Sequence, residues 1–308
     1  MEKLKDSTSD NCSDNVVYCK NTDAIKAGRY FKKLPTIKCE FCGKELEKVG
    51  YYFREGTLLK EWRTFGANEK CDCKEATEYL KEVEKQEKAR IIKEAEEEAK
   101  RKYEEKVNRL IKGSNLGERF KSRTFETYKV DKNNQYAFGT CKKYAEQFKD
   151  LKNKGIGLSL VGNYGTGKTH LAAAITHKII YQGYQPIFGT LISLLGKVKA
   201  SYSDPYAKEN EDTIINKYIN CDLLIIDDLG KEKPSEWILE KLYYIINCRY
   251  ENLKPIIITS NYNNDKLVER LTVNNNLETP EAIVSRLCEM SQGVNLNNCE
   301  DYRKKDLF

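Results

Sequence analysis

The sequence predicts an α/β fold with a parallel five-stranded sheet in residues 114–308, preceded by a small cysteine-bearing module and a charged linker helix. Three observations predict it. From Leu116 onward, short apolar runs alternate with helical periods, the pattern of strands joined by crossover helices and therefore parallel. One apolar run leads into a glycine-rich turn and then a helix. Ahead of this region, residues 75–112 are dominated by Glu, Lys, Arg and Ala and contain no Gly or Pro, which predicts one long helix.

In chain order, residues 1–36 are polar and without sustained periodicity, and read as a tail or weakly ordered partner-binding segment. Residues 37–74 carry paired cysteines. The helix of residues 75–113 has a narrow apolar stripe, Ile92, Ala95, Ala99, Tyr103, Val107 and Leu110. The alanines in that stripe favour a solvated spacer over a self-associating coiled coil. Gly113, Ser114 and Asn115 end it. Strands are expected at 157–161, 186–189, 223–226, 256–259 and 293–296. Leu171, Ala172, Ile175 and Ile179 mark one buried helix face, and Ile238, Leu242, Ile245 and Ile246 another. Residues 274–276, all Asn, read as a surface loop, and no internal repeat is present.

Composition bounds the class of molecule. The 308 residues are 40% hydrophobic and 32% charged, no run approaches the roughly 18 apolar residues of a membrane span, and the first residues lack an apolar signal core. A cytoplasmic protein without a membrane partner is expected. Eleven cysteines without a secretion signal argue for free or metal-bound thiols rather than disulfides. A net charge of +6 is weak support for a nucleic-acid partner.

The strongest motif is GNYGTGKTH, a G-x-x-x-x-G-K-[ST] run between an apolar strand and a helix. Gly162, Asn163, Tyr164, Gly165, Thr166, Gly167, Lys168, Thr169 and His170 are the expected nucleotide contacts. Glycines let backbone N–H groups curl around phosphate oxygens, and the helix N-terminus adds partial positive charge. Lys168 is expected at the β and γ phosphates of ATP, and Thr169 on Mg²⁺. His170 enters only as the end of the motif; its side chain and that of His177 carry no assigned role. CDLLIIDDLG places Asp227 and Asp228 at a strand end beside this loop. Asp227 fits the Mg²⁺ partner and Asp228 the group that polarises the attacking water, with one methylene less reach than Glu. IIITSNYN ends at Asn261, a neutral amide suited to the lytic water or γ phosphate.

Cys39 and Cys42 in CEFCGK, with Cys71 and Cys73 in CDC, can close a tetrahedral zinc site, and Gly43 allows the knuckle turn. C-x-C is the rarer pair. The intervening YYF and TLLKEW segments could form short ribbon strands. Cys12, Cys19, Cys141, Cys221, Cys248, Cys288 and Cys299 stand alone as incidental thiols.

Together GERFKSRTFETY, GNYGTGKTHLAAAI, LLIIDDLG, IIITSNYN, IVSRL and EDYRKK, spanning about residues 116–305, resemble the AAA+ ATPases. In particular the chain is similar to replicative helicase loaders of the DnaC/DnaI type and to the IstB-like transposition helper ATPases. The resemblance implies that Arg286 is an arginine finger offered to a neighbouring subunit and Arg303 a second-sensor arginine. Only 47 residues follow Asn261, which implies the absence of a C-terminal helical lid, as in those loaders. It further implies that TLISLLGKVKASY meets single-stranded DNA through Lys197, Lys199 and Tyr202, and that the zinc module grips a hexameric replicative helicase. The expected function is ATP-dependent loading of that helicase onto single-stranded DNA by a nucleotide-dependent homo-oligomer. The alternatives are a transposition helper that assembles on duplex DNA and a nucleotide-gated adaptor with little turnover. A small-molecule P-loop kinase is disfavoured, since no lid or acceptor site is evident.

Overall fold

The computed structural model describes residues 16–29, 32–53, 62–203, 209–231 and 233–302. The chain divides into two compact units, Met1–Ala99 and Lys100–Phe308.

The first unit begins with β1 (Val16–Lys20) and the short α1 (Asn21–Lys26), in a region expected to be a polar tail. VVYC is β-branched and aromatic, but its pairing partner lies some thirty residues away, so no local periodicity marks it. β2 (Ile37–Lys38) and β3 (Glu45–Leu46) pair as a small hairpin under the CEFC turn. β4 (Lys48–Phe53) contains the YYF run and pairs antiparallel with β1. β5 (Arg63–Asn68) completes a three-stranded sheet in the order β1-β4-β5. Of TLLKEW, residues 57–61 lie outside the described residues, and the strand begins only after Trp62. α2 (Lys74–Gly113) is a single 40-residue helix. Ile92, Ala95, Ala99 and Tyr103 of its stripe are solvent-exposed, whereas Val107 is buried and Leu110 half-buried. Pairs such as Arg90–Glu87 at 2.8 Å and Arg90–Glu94 at 3.5 Å support the exposed part by a few tenths of a kcal/mol each.

In the second unit α3 (Gln135–Glu146) and α4 (Phe148–Asn153) precede β6 (Gly157–Val161), α5 (Lys168–Tyr181) and β7 (Pro186–Thr190). Then come α6 (Leu191–Ser203), α7 (Glu211–Asn220), β8 (Leu223–Asp227), α8 (Glu236–Glu251) and β9 (Ile256–Ser260). α9 (Asn264–Leu271), α10 (Glu278–Met290) and β10 (Ser291–Asn295) close the unit. Every pairing in its five-stranded sheet is parallel, in the order β10-β6-β9-β8-β7. β10 lies two residues earlier than its apolar pattern indicates, because it is an edge strand with only Val294 buried.

Alternation along the buried strands builds a core on each face. Leu158, Leu160, Ile225 and Ile257 pack with Leu171 and Ile175 of α5, while Leu224, Ile226, Ile256 and Ile258 pack with Leu242 and Ile246 of α8 and Ile283 of α10. At the tip of the Asn-rich loop, Asn274 and Asn275 take φ of 51° and 60°. Their side chains tolerate that left-handed region. Residues 296–302 follow β10 and return across the carboxyl end of β6; among the described residues no helical lid follows.

Arg249 on α8 is fully buried, and its hydrogen bonds among the described residues go to carbonyls and the Cys221 sulfur, none to a carboxylate. Its guanidinium donates to the carbonyls of Tyr218 at 2.6 Å, Ile219 at 2.9 Å, Cys221 at 3.1 Å and Pro255 at 2.7 Å. The first three are the free carbonyls at the end of α7, whose partial negative charge compensates the cation. Burial lowers the pKa of Arg249 nonetheless. Arg249→Met is expected to cost about 3–5 kcal/mol in urea unfolding, since it removes the guanidinium from four buried carbonyls, of which Tyr218 and Pro255 keep another donor, the Cys221 thiol at 3.4 Å and the Leu224 N–H at 3.4 Å. Arg249→Lys should recover only part of this, lacking the planar fork.

Candidate functional site

β6, β8 and β9 end side by side, and the site is built on their carboxyl ends. Gly165 and Gly167 take φ of 74° and 92°, which turns the loop after β6 into a backbone cradle ending at the N-terminus of α5. Lys168 opens that helix and is buried. Its ammonium donates to the carbonyls of Gly162 and Asn163 and to Asn261 Oδ1, each at 2.7 Å. Two residues singled out from separate motifs, Lys168 and Asn261, are thus in direct contact.

Asp227 at the end of β8 accepts from Thr169 Oγ1 at 3.0 Å and from Thr259 Oγ1 at 2.6 Å. In an octahedral Mg²⁺ shell with bonds of about 2.1 Å, adjacent oxygens lie about 3 Å apart. The Thr169–Asp227 spacing therefore fits two neighbouring Mg²⁺ ligands. Thr259, which sequence reasoning missed, also accepts from the Asp228 N–H at 2.9 Å. Its signal was a hydroxyl that follows the three isoleucines of β9, just before Ser260. Asp228 takes φ of 55° and pairs with Lys231 at 3.2 Å, at the mouth of the cleft.

The cleft has a volume of about 630 Å³. Its far wall comes from residues 119–131 and Tyr302, which carried no assigned role. Tyr128 stacks on Phe138 at 5.6 Å and meets His170 edge-on at 5.0 Å. His170 Nε2 donates to the Thr124 carbonyl at 2.9 Å and His177 Nε2 to that of Phe120 at 3.1 Å, so both histidines pin this wall to α5. Burial lowers the pKa of His170, which keeps the ring neutral. Tyr302 closes the end of the cleft: its N–H donates to the Gly165 carbonyl at 3.2 Å, and its hydroxyl meets Asn134 at 2.8 Å and Asp131.

Burial, opposed by the Thr259 hydrogen bond and reinforced by Asp228, raises the pKa of Asp227. The native state therefore holds this proton to higher pH than the unfolded chain does, and stability is lost as pH rises from the ordinary Asp value through the raised one. Asp227→Asn is expected to raise nucleotide-free stability at neutral pH, and the gain should vanish on acidification. Urea midpoints measured across pH check this.

Arg286 lies away from the chain's own cleft. It sits over Tyr243 at 5.3 Å and Tyr250 at 5.6 Å and donates to Asn247 at 2.9 Å. Arg303 lies outside the described residues. The three residues singled out on α6 do not share one face. Lys197 reaches Asn115, whereas Lys199 lies over the Trp237 ring at 5.0 Å and Tyr202 meets that ring edge-on at 6.2 Å.

In the first unit the four sulfurs of Cys39, Cys42, Cys71 and Cys73 lie within 4.8 Å of one another, with Cys39–Cys73 at 3.9 Å and Cys42–Cys71 at 3.4 Å. Tetrahedral zinc with bonds of about 2.3 Å requires sulfurs about 3.8 Å apart. The cluster fits a zinc knuckle. N–H groups of Cys42 and Phe41 hold the Cys39 thiol down to about 7. The Ala76 N–H lowers Cys73, but burial and the neighbouring thiols outweigh it and carry the group up to about 12. To stand as four thiolates this close, the cysteines would need a cation among them.

Counted in chain order, the second unit's strands lie in the order 5-1-4-3-2, with a phosphate loop after the first, paired acids after the third and a polar end on the fourth. That arrangement defines a P-loop ATPase of the AAA+ class. Residues 78–307 match the model of the IstB-like ATP binding proteins, and the chain belongs to that family. It is 30% identical to the phage-like element PBSX protein XkdC of Bacillus subtilis strain 168 over 211 residues, 65% of this chain and 70% of that protein. It is 26% identical to the replicative helicase loader DnaC of Escherichia coli K12 over 167 residues, 54% of this chain and 66% of that protein. A crystal structure of the DnaC helicase loader superposes with a TM-score of 0.51 at 29% identity, covering 59% of this chain and 100% of that one. No helix among the described residues is long and apolar enough to cross a membrane.

Proposed function

We propose that this chain is an ATP-dependent loader of a hexameric replicative helicase onto single-stranded DNA. The observation that carries the reading is the match to the DnaC helicase loader structure along its whole length, joined here to a four-cysteine module. In this reading Lys168 exchanges its carbonyl partners for the β and γ phosphates of ATP, and Asn261, already bonded to it, senses that exchange. Thr169 and Asp227 would hold Mg²⁺, which supplies charge neutralisation on the phosphates. Asp228 orients the attacking water, and its pairing with Lys231 sets when it is free to do so. Arg286 acts on a neighbouring protomer's nucleotide and Arg303 on the chain's own, so that turnover follows assembly. Lys199 and Tyr202 contact DNA beside Trp237, and Lys197 does so from another face of α6. Zinc in the cysteine cluster holds the module that grips the helicase.

The test is helicase loading on a covered single-stranded template with purified chain. Wild type with ATP should increase loaded helicase, and Lys168→Ala should not. The IstB-like family match favours a second reading, a transposition helper. ATP-dependent assembly on duplex DNA, with no helicase complex, would select it.

A further inference from the structure

The three-stranded sheet of the first unit turns a row of rings to solvent on one face. β1 and β4 set Tyr18 directly opposite Tyr51, and β5 brings up Phe65. Tyr18 and Phe65 stack at 5.8 Å with 16° between planes. Tyr51 lies 5.2 Å from Phe65 and 6.3 Å from Tyr18. Tyr18 is 52% exposed and Phe65 51%. The opposite face is covered instead: Trp62 is 2% exposed with its indole donating to the Cys19 carbonyl at 3.3 Å, and Arg29 lies over Tyr52 at 5.3 Å. Cross-strand aromatic pairing stabilises a sheet without needing such exposure, so the rings have more surface than the fold uses.

Cations flank these rings. Arg63 stands opposite Tyr51 in the ladder, and Lys20, which pairs with Glu69, lies two residues beyond Tyr18 on the same face. The described residues between 16 and 73 carry ten Lys or Arg against six Asp or Glu, so the charge balance favours an anionic occupant. Flat rings flanked by cations match flat bases flanked by phosphates. A duplex cannot use them, because its bases stay stacked at about 3.4 Å and its grooves hide their faces. Ring centroids more than 5 Å apart suit bases already unstacked.

We propose that this face is a stacking platform for single-stranded nucleic acid, with bases on Tyr18, Tyr51 and Phe65 and phosphates at Arg63 and Lys20. It goes beyond the loader reading, which places DNA on α6 and gives this unit to the helicase. It requires no ATP.

The experiment is fluorescence anisotropy of a labelled oligothymidylate with the full chain, without nucleotide, in wild type and in a Lys199→Ala/Tyr202→Ala background. In both backgrounds Phe65→Ala and Phe65→Leu should each weaken binding about tenfold, while Phe65→Trp retains it, because stacking and not apolar area is what counts. Zinc content and circular dichroism verify that each variant is folded, and Tyr18→Ala serves as a second probe if Phe65→Ala is not. A 5-bromouracil oligonucleotide should crosslink to peptides containing Tyr18, Tyr51 or Phe65. Wild-type affinity in folded Phe65→Leu, or crosslinks confined to α6, would overturn the proposal while leaving the loader reading intact.

Discussion

Lys168→Ala is expected to lower ATP turnover by about 10²–10³-fold, the loss typical of removing one preorganised donor from a transition state. The geometry gives the reason. The ammonium is buried at the start of α5 and donates at 2.7 Å to two loop carbonyls and to Asn261. On the proposed reading it waits where the phosphates would arrive, in a site of low dielectric, already bonded to Asn261 just past the end of β9. Alanine removes that charge and, with it, the ammonium donor to the Gly162 and Asn163 carbonyls and to Asn261 Oδ1. Asn261→Ala removes one of those contacts and keeps the charge, so its loss should be smaller. Phosphate release at saturating ATP measures both, and a Lys168→Ala rate within tenfold of wild type would contradict the assignment.

Replacing Cys39 and Cys71 together by serine is expected to abolish zinc binding and unfold the small cysteine module. Structural zinc in modules of this size contributes about 10–16 kcal/mol of binding free energy that is also folding free energy. Little else holds this one: the buried apolar residues around the sulfurs are Leu46 and Ala76. The second unit has a separate core on each face of its sheet, so ATP binding should survive. One zinc per wild-type chain, none in the variant, and unchanged nucleotide affinity are the expected results. Wild-type chain folded without bound metal would remove the zinc assignment.

Much of this arrangement was legible in the sequence because its signals are local. An apolar run followed by glycines and GKT specifies a strand, a loop and a helix within a dozen residues, and the paired acids and the Ser-Asn end mark their strands in the same way. The long helix was legible for the same reason. What escaped depends on distant pairing. VVYC becomes β1 only when β4 lies beside it. Thr259 matters only because β8 and β9 are neighbours, which puts its hydroxyl 2.6 Å from Asp227. Tyr302 and Asp131 meet across most of the second unit's sequence. On α6 the helical turn itself separates Lys197 from Lys199 and Tyr202, a division that a reading by composition passes over.

The central claim, that this ATPase acts on a replicative helicase, is tested most directly by native mass spectrometry of the purified chain with ATP and the replicative helicase hexamer of its host. Several copies on one hexamer, each copy carrying one zinc, are expected. Absence of any such complex, with ATP-dependent self-assembly on duplex DNA in its place, would contradict that claim.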